Sequence, residues 1–268
     1  MAKGVDERFA NRVLITVPVR HNPKLRQLIE EVNADDDLYG LWVAANVNAM
    51  ERLDMTDHGP VHVKIVMNLA VRMLRLLMDA GVQPSIVTDY AMEPEDAEVV
   101  VALAALLHDV GMSIHRADHE AYSLFVAQDK LRQMLPKFYD GRRGTIVRSE
   151  VLHAIISHRS GGKPLTLEAG VVRIADALDM AKGRSRIPFA AGSLSIHSVS
   201  AAAIEGVTLE RGEERAICVT VAMTNSAGLF QLDQLLREKL KGSGLERHIE
   251  IRAKLGEEEK RLLTDFTL

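Results

Sequence analysis

Apolar positions recur at three- and four-residue spacing along the first two-thirds of the chain, the pattern of helices with one buried face. The first such helix starts near Pro23, and a second set of apolar positions runs over residues 38–53. The segment "MTDHGPVH" breaks the pattern, which then resumes over 63–78 and ends at Ala80 and Gly81. These segments predict an all-α region.

Another helix is predicted to start at Pro94, because proline is tolerated in a first helical turn and the neighbouring acidic residues suit its positive end. It continues through a nearly unbroken apolar run, 99–107, and ends at His108 and Asp109, with Gly111 as its cap. A helix that is apolar on every side is normally buried, so the carboxylate at its end needs a compensating partner. Three more helices are predicted over 119–135, 148–158 and 167–182.

The pattern changes to strand-like alternation beyond residue 190. The segments "SLSIHSV", "GVTLERG" and "RAICVTVAM" predict strands, with a hairpin turn at Gly212 and Glu213. A helix over 230–240 and a last strand, "RHIEIRAKL", follow. We therefore predict an α+β architecture with an all-α helical bundle over 1–190 and a small C-terminal α/β domain of unknown role over 191–268.

Composition excludes several classes of protein. The chain has 268 residues, of which 47% are hydrophobic, and its net charge of −4 argues against a general nucleic-acid or membrane-surface binder. A single cysteine, Cys218, cannot form an internal disulfide and is expected to pack as a small apolar side chain. With neither a leader pattern nor an apolar run of about 18 residues, the expected location is the cytoplasm, without a membrane span.

Histidines and aspartates are placed unevenly, with seven of the ten histidines between residues 58 and 158 of the helical region. His58 and His62 are four residues apart and share a helix face, as do Asp176 and Asp179 at a spacing of three. A metal ion is the simplest common partner for imidazoles and carboxylates that separate helices bring into a protein interior.

Three motifs carry these residues in order along the chain: "DHGPVH" with His62, "LLHDVG" with His108 and Asp109, and "RIADALD" with Asp176. This order resembles the H…HD…D signature of the HD-domain superfamily of metal-dependent phosphohydrolases, over about residues 50–190. The resemblance implies a helical HD-domain bundle in which these four residues bind one divalent metal ion, drawn from Mn, Fe, Ni, Co, Mg or Zn.

Further histidines stand where some HD families bind a second metal ion: His119, His153 and His158. The alternative is that they orient a metal ligand or bind a phosphate oxygen, so a second site is left open. The chain departs from the HD-GYP branch, because Met112 stands where that branch usually has lysine and "HRSGGKP" follows His158 in place of a GYP triplet. Hydrolysis of cyclic dinucleotides of that kind is therefore disfavoured.

The implied reaction is attack of metal-activated water on a small phosphorylated substrate, with nucleotides among the candidates. Asp109 is a candidate proton acceptor, and His158 and Arg159 are further catalytic candidates. Basic side chains near the motifs are candidates for binding the substrate phosphate: Lys64, Arg159, Lys182, Arg184 and Arg186.

Two other functions remain open at this point. One is an oxygenase with a mixed-valent di-iron centre, and the other is a non-catalytic sensor that binds a metal or a nucleotide. The apolar face of the helix at 230–240 is open to three roles: formation of a homodimer, coverage of the substrate pocket, or binding of an effector.

Overall fold

The computed structural model of the protein describes residues 4–159, 161–180, 200 and 202–256. Its first part is a helical bundle. The helices of this part are α1 (Val5–Ala10), α2 (Pro23–Ala34), α3 (Asp36–Asn46), α4 (Pro60–Asp79), α5 (Ser85–Tyr90), α6 (Pro94–Leu107), α7 (His119–Met134), α8 (Gly141–Ser157) and α9 (Leu167–Leu178). The bundle confirms the all-α prediction.

Helix α6 is the central element of the bundle. Its first turn has Pro94 and a reciprocal cap between Glu93 and Asp96, and its residues 99–107 are buried throughout. Helices α4, α8 and α9 pack around it, which is why this helix tolerates an apolar surface on all sides. The indole Nε1 of Trp42, on α3, donates to the Leu106 carbonyl at 2.8 Å, so the end of α6 is held where the next two residues begin the candidate site.

The C-terminal part is a mixed sheet of β1 (Ile204–Arg211), β2 (Ile217–Met223) and β3 (Ile249–Leu255). Among the described residues, β1 and β2 are antiparallel neighbours and β2 and β3 are parallel neighbours, in the order β1-β2-β3. A helical segment, 226–240, lies between β2 and β3 and supplies the crossover that a parallel pair needs. The sheet packs on α4 and the helical segment packs on α9, so the largest cluster of buried apolar residues extends through both parts.

Several predicted boundaries differ from the structure. Helix α8 begins at Gly141 instead of residue 148, because the Asp140 side chain accepts from the backbone N–H groups of Arg142 and Arg143 and caps the helix. The apolar set over 38–53 is divided into α3 and a π-helical turn, Val47–Arg52.

In the C-terminal part, the single helix predicted over 230–240 is a succession of short 3-10, α and π turns. The predicted strand "SLSIHSV" and the domain boundary near residue 190 lie outside the described residues. Cys218 is buried in β2, as expected. Within the described ranges, none of the helices combines the length and the apolar character that crossing a membrane requires.

Candidate metal centre

Five helices bring histidines and aspartates to one end of the bundle. His62 lies in the first turn of α4, His108 and Asp109 follow α6, His119 begins α7, His158 follows α8, and Asp176 lies in α9. All four of these histidines and Asp109 are buried. The predicted convergence of the three motifs is therefore present, and we call these six residues the His/Asp cluster.

The start of α4 is held by a side chain that precedes it. One carboxylate oxygen of Asp57 accepts from the Gly59 N–H at 3.0 Å, and the other accepts from the His62 N–H at 3.0 Å. Pro60 occupies the first helical position, where its missing N–H costs no hydrogen bond. The turn that carries His62 is thereby fixed by its own sequence.

Gly111 permits the close approach of α7 to the end of α6. Its N–H donates to the Ser123 hydroxyl at 2.8 Å, and a methyl group at this position would overlap the His119 carbonyl and the Ser123 nitrogen. Only glycine leaves room for this contact. The glycine that follows the His-Asp pair thus brings His119 within reach of Asp109.

The first half of the cluster has the spacing of ligands around one ion. The Nε2 atoms of His62 and His108 are 3.2 Å apart, and each lies 3.2 Å from Oδ2 of Asp109. Each also lies 3.7 Å from Oδ1 of Asp176. Ligand atoms about 2.1 Å from a common cation are separated by about 3.0 to 3.4 Å in octahedral or tetrahedral coordination. The three separations of 3.2 Å lie in this range, and the two of 3.7 Å to Asp176 are somewhat longer.

The two histidines also have the tautomer that metal binding needs. Nδ1 of His62 donates to Oδ2 of Asp179 at 2.6 Å, and Nδ1 of His108 donates to the Ala105 carbonyl at 2.8 Å. With these protons on Nδ1, Nε2 is the nitrogen of each ring that is left to bind a cation, and the two Nε2 atoms lie 3.2 Å apart. A cation between them makes this close approach favourable, so the donor set fits a metal ion.

The second half of the cluster uses the other oxygen of Asp109. Oδ1 lies 3.2 Å from Nε2 of His119 and 3.6 Å from Nε2 of His158. Nδ1 of His158 donates to the Ile155 carbonyl at 2.6 Å, which leaves its Nε2 as an acceptor. The two carboxylate oxygens of Asp109 therefore face two pairs of histidines, an arrangement consistent with one or two metal ions.

His119 has a less defined tautomer than the other three histidines. Its Nδ1 lies 2.8 Å from Nη1 of Arg116, which can only donate a hydrogen bond. The same Nδ1 lies 3.1 Å from the Arg116 carbonyl and 3.2 Å from a carboxylate oxygen of Glu120, and both of these oxygens can only accept. Both tautomers therefore have a partner at Nδ1. The donor set around Oδ2 of Asp109 is accordingly better fixed than the set around Oδ1.

The cluster stabilises positive charge on His108 and disfavours it on His158. Burial alone lowers the pKa of His108, but the carboxylates of Asp109 and Asp176 outweigh it and raise this pKa to about 10. Burial, together with the charge of His108, lowers the pKa of His158 to about 3. Burial opposes ionisation of Asp109, yet the neighbouring histidines, His108 above all, hold its pKa well below the usual range. The carboxylates therefore stay ionised and attract a cation.

Three predicted site residues are not part of the cluster. His153 is held elsewhere: its Nε2 accepts from the Leu165 N–H at 3.0 Å and its Nδ1 lies 3.4 Å from the Ser157 hydroxyl, so the structure does not bring it to the metal-ligand position expected for it. Lys64 follows His62 by two residues on a regular helix, which places it about 200° around the axis, away from the His62 side chain. Arg159 follows His158 with an exposed side chain.

The remaining phosphate candidates lie outside the described residues: Lys182, Arg184 and Arg186. His58 was predicted to share a helix face with His62, but it precedes α4, which begins at Pro60, and its Nδ1 lies 2.7 Å from the Thr56 carbonyl. Asp179, predicted to share a helix face with Asp176, contacts Nδ1 of His62 through its Oδ2.

Sequence reasoning missed one cation at the cluster. Lys239, near the end of the helical segment 226–240, donates from Nζ to the His158 carbonyl, and Nζ lies 3.4 Å from Oδ2 of Asp176. The contact spans 63 positions of the chain, so no motif spacing predicts it. Its only trace in the sequence is a basic residue at the end of an amphipathic helix, which is common on protein surfaces.

Comparison with known proteins agrees with the motif analysis. Residues 61–181 match the sequence model of the HD domain, a range that contains the whole His/Asp cluster and excludes Lys239. The chain is also 43% identical over 224 residues to the uncharacterized protein MJ1020 of Methanocaldococcus jannaschii. That alignment covers 84% of this chain and 86% of MJ1020, so the similarity extends well beyond the helical bundle.

Proposed function

The chain belongs to the HD-domain family, and on that premise we propose that it is a metal-dependent phosphohydrolase acting on a small phosphorylated substrate, with nucleotides among the candidates. HD domains are typically metal-dependent phosphohydrolases. The observation that carries the proposal is the convergence of the Nε2 atoms of His62 and His108 on two ionised carboxylates, of Asp109 and Asp176, within 3.7 Å. Such a donor set suits a divalent cation and leaves coordination positions for water and a phosphate oxygen.

We assign the first cation to four ligands: His62, His108, Asp109 and Asp176. A second cation would share Asp109 and take His119 and His158, whose Nε2 atoms face its other oxygen. A bound divalent cation lowers the pKa of its water and neutralises charge on the phosphoryl group, which are the two requirements of phosphoester hydrolysis at neutral pH.

The protein's own groups keep these ligands in one geometry. The carboxylate of Asp179 and the carbonyls of Ala105 and Ile155 each accept an Nδ1 proton, which orients the rings of three histidines. Because its pKa is lowered to about 3, His158 is neutral at pH 7, as a metal ligand must be. The role of Asp109 as proton acceptor stays a prediction, since both of its oxygens already face histidine nitrogens.

Phosphate release from a panel of nucleotides with added Mn²⁺, Ni²⁺, Co²⁺ or Mg²⁺ tests the proposal. Wild-type protein is expected to turn over with at least one of these ions, and Asp109→Asn is expected to lose both turnover and metal binding while its helical circular dichroism is unchanged. Asp118→Asn is the matched control, because Asp118 is exposed and asparagine tolerates its left-handed backbone conformation (φ 59°).

Two results would count against the proposal. Full metal occupancy in Asp109→Asn removes Asp109 from the ligand set. Absence of turnover with every metal and every substrate favours the sensor interpretation instead of an enzyme.

The oxygenase alternative has one observation in its favour, the pair of histidines at the second oxygen of Asp109. A carboxylate that faces two histidine pairs can bridge two iron ions as readily as two hydrolytic metal ions. Iron content after purification without chelator, together with oxygen consumption, separates the two functions. Two irons per chain and oxygen uptake without phosphate release would identify the oxygenase.

A further inference from the structure

We propose that Lys239, supplied by the C-terminal part of the chain, binds the phosphoryl group of the substrate beside the His/Asp cluster. The inference rests on the proposed function and assigns the phosphate-binding cation of that same site. It also selects one of the three roles left open for the helix predicted over 230–240, which is coverage of the substrate pocket.

The helical segment is held over the cluster by a buried arginine. Arg173, on α9, donates from Nε to the Lys239 carbonyl at 2.8 Å. Its Nη1 donates to the carbonyls of Arg159 at 2.8 Å and Gly162 at 2.6 Å, in the loop that follows His158. A single guanidinium therefore joins the C-terminal end of the helical segment to the loop beside the cluster. Lys239 is thus placed by a buried contact and not by a flexible surface one.

The ammonium of Lys239 contacts two residues of the cluster, the backbone of His158 and the carboxylate of Asp176. Nζ donates to the His158 carbonyl and lies 3.4 Å from Oδ2 of Asp176, whose other oxygen faces His62 and His108. An ammonium has three N–H donors, and the described residues take up two of them. No described residue takes the third donor, and the side chain is 19% exposed, so a ligand in the site can reach it.

A lysine ammonium this close to proposed metal ligands changes the electrostatics of metal binding. It competes with a divalent cation for the Asp176 carboxylate, so it is unfavourable for metal binding by itself. An anion that bridges the metal ion and the ammonium removes this conflict, and a phosphoryl group has the charge and the acceptor oxygens for it. The position of Lys239 therefore suits a phosphorylated substrate.

The other described basic side chains near the cluster do not contact its aspartates. Arg159 has an exposed side chain with no contact to the cluster, and Lys64 points to the other side of α4. Arg116 is exposed and its Nη1 lies 2.8 Å from Nδ1 of His119, behind the ring and away from the Asp109 side. Within the described ranges, Lys239 is the candidate that touches both an aspartate of the cluster and the chain that carries His158.

Calorimetric titration of the Mn²⁺-loaded protein with inorganic phosphate tests the assignment without relying on turnover. Lys239→Met keeps the length of the side chain and removes its charge, and we expect it to weaken phosphate binding about tenfold or more. Lys239→Arg is expected to restore most of the affinity. Lys241→Met removes a charge from an exposed position two residues further on and is expected to bind phosphate as the wild type does.

Mn²⁺ affinity supplies the second measurement. If Lys239 serves the substrate, Lys239→Met should bind Mn²⁺ as tightly as wild type or more tightly, because a competing cation has been removed. If Lys239 only holds the fold together, the same variant should bind Mn²⁺ more weakly and melt at a lower temperature, and Lys239→Arg should not rescue phosphate binding.

The possible outcomes distinguish failure of the Lys239 proposal from failure of the phosphohydrolase proposal. The role of Lys239 is overturned if Lys239→Met binds phosphate as tightly as the wild type, or if this variant has an unchanged KM for a substrate that the wild type hydrolyses. Either result leaves the phosphohydrolase proposal standing. Absence of phosphate binding by the Mn²⁺-loaded wild type overturns the role of Lys239 as well. Phosphate binding that depends on Lys239 in a protein without hydrolytic turnover supports the phosphate site and contradicts only the enzymatic proposal.

Discussion

Removing the Asp179 carboxylate should weaken metal binding although Asp179 is not among the proposed ligands. Oδ2 of Asp179 accepts the Nδ1 proton of His62 at 2.6 Å, and this bond fixes both the tautomer and the direction of the imidazole ring. In Asp179→Ala the buried ring can present either nitrogen to the cluster. The expected result is a weaker His62 ligand in an otherwise folded protein.

The size of the effect follows from the environment of the contact. Only 6% of the Asp179 side chain and none of the His62 side chain is exposed, so water does not readily replace the missing acceptor. Loss of such an orienting partner typically weakens metal binding about 10- to 100-fold. That corresponds to about 1.4 to 2.7 kcal/mol of binding free energy. Asp179→Asn retains an acceptor oxygen without the charge, so its loss should be about half as large in free energy.

Competition between the protein and a chelating dye for Mn²⁺ measures these affinities, and the melting temperature of each metal-free variant shows that it is folded. Asp79→Asn is the matched control, because Asp79 is exposed and ends the same helix about 26 Å from His62. Asp179→Ala with wild-type affinity would refute the reasoning. An equal loss in Asp79→Asn would show that long-range charge, not ring orientation, is responsible.

Three other outcomes are expected. Metal affinity should rise with pH, because a His108 pKa raised to about 10 means that a bound metal ion displaces a proton at neutral pH. The Kd for the metal should fall about tenfold per pH unit between pH 6.5 and 8.5. Calorimetry in buffers of different ionisation enthalpy should show about one proton released per metal ion bound. Gly111→Ala should destabilise the fold by about 1–3 kcal/mol through overlap with α7, whereas Gly141→Ala, at an open helix start, should not, as urea unfolding can show. Arg75→Met should cost about 3–5 kcal/mol, because it leaves the buried Glu98 carboxylate without its ion pair, and replacing Glu98 by Leu in the same chain should recover most of this loss.

The long helices were predictable from local pattern, and the short ones were not. Helices α4 and α6 have continuous periodicity or a continuous apolar run, together with proline in the first turn. Helix α5 was missed because its first N–H groups are capped from another helix: the Glu168 carboxylate on α9 accepts from Ser85 at 3.2 Å and from Ile86 at 3.0 Å. A cap of this kind joins residues more than 80 positions apart and leaves no trace in the local sequence.

In the candidate site, too, contacts encoded in local motifs were predictable and contacts set by tertiary packing were not. The motifs predicted the meeting of His62, the His-Asp pair and Asp176, because each motif lies at or near the end of a recognisable helix. They did not separate His153 from His158, which lie five residues apart and so about 140° apart around a helix axis, with only the second on the side of the cluster. The contact of Lys239 depends on how the C-terminal part packs against α9, which no single-sequence pattern encodes.

The position of bound metal tests the central claim most directly. Anomalous diffraction from crystals grown with Mn²⁺ should show a peak within about 2.3 Å of Nε2 of His62, Nε2 of His108 and the nearest oxygens of Asp109 and Asp176. A second peak beside His119 and His158 would establish the bridging role of Asp109. Crystals that bind Mn²⁺ elsewhere, with this cluster free of anomalous density at saturating metal, would contradict the account.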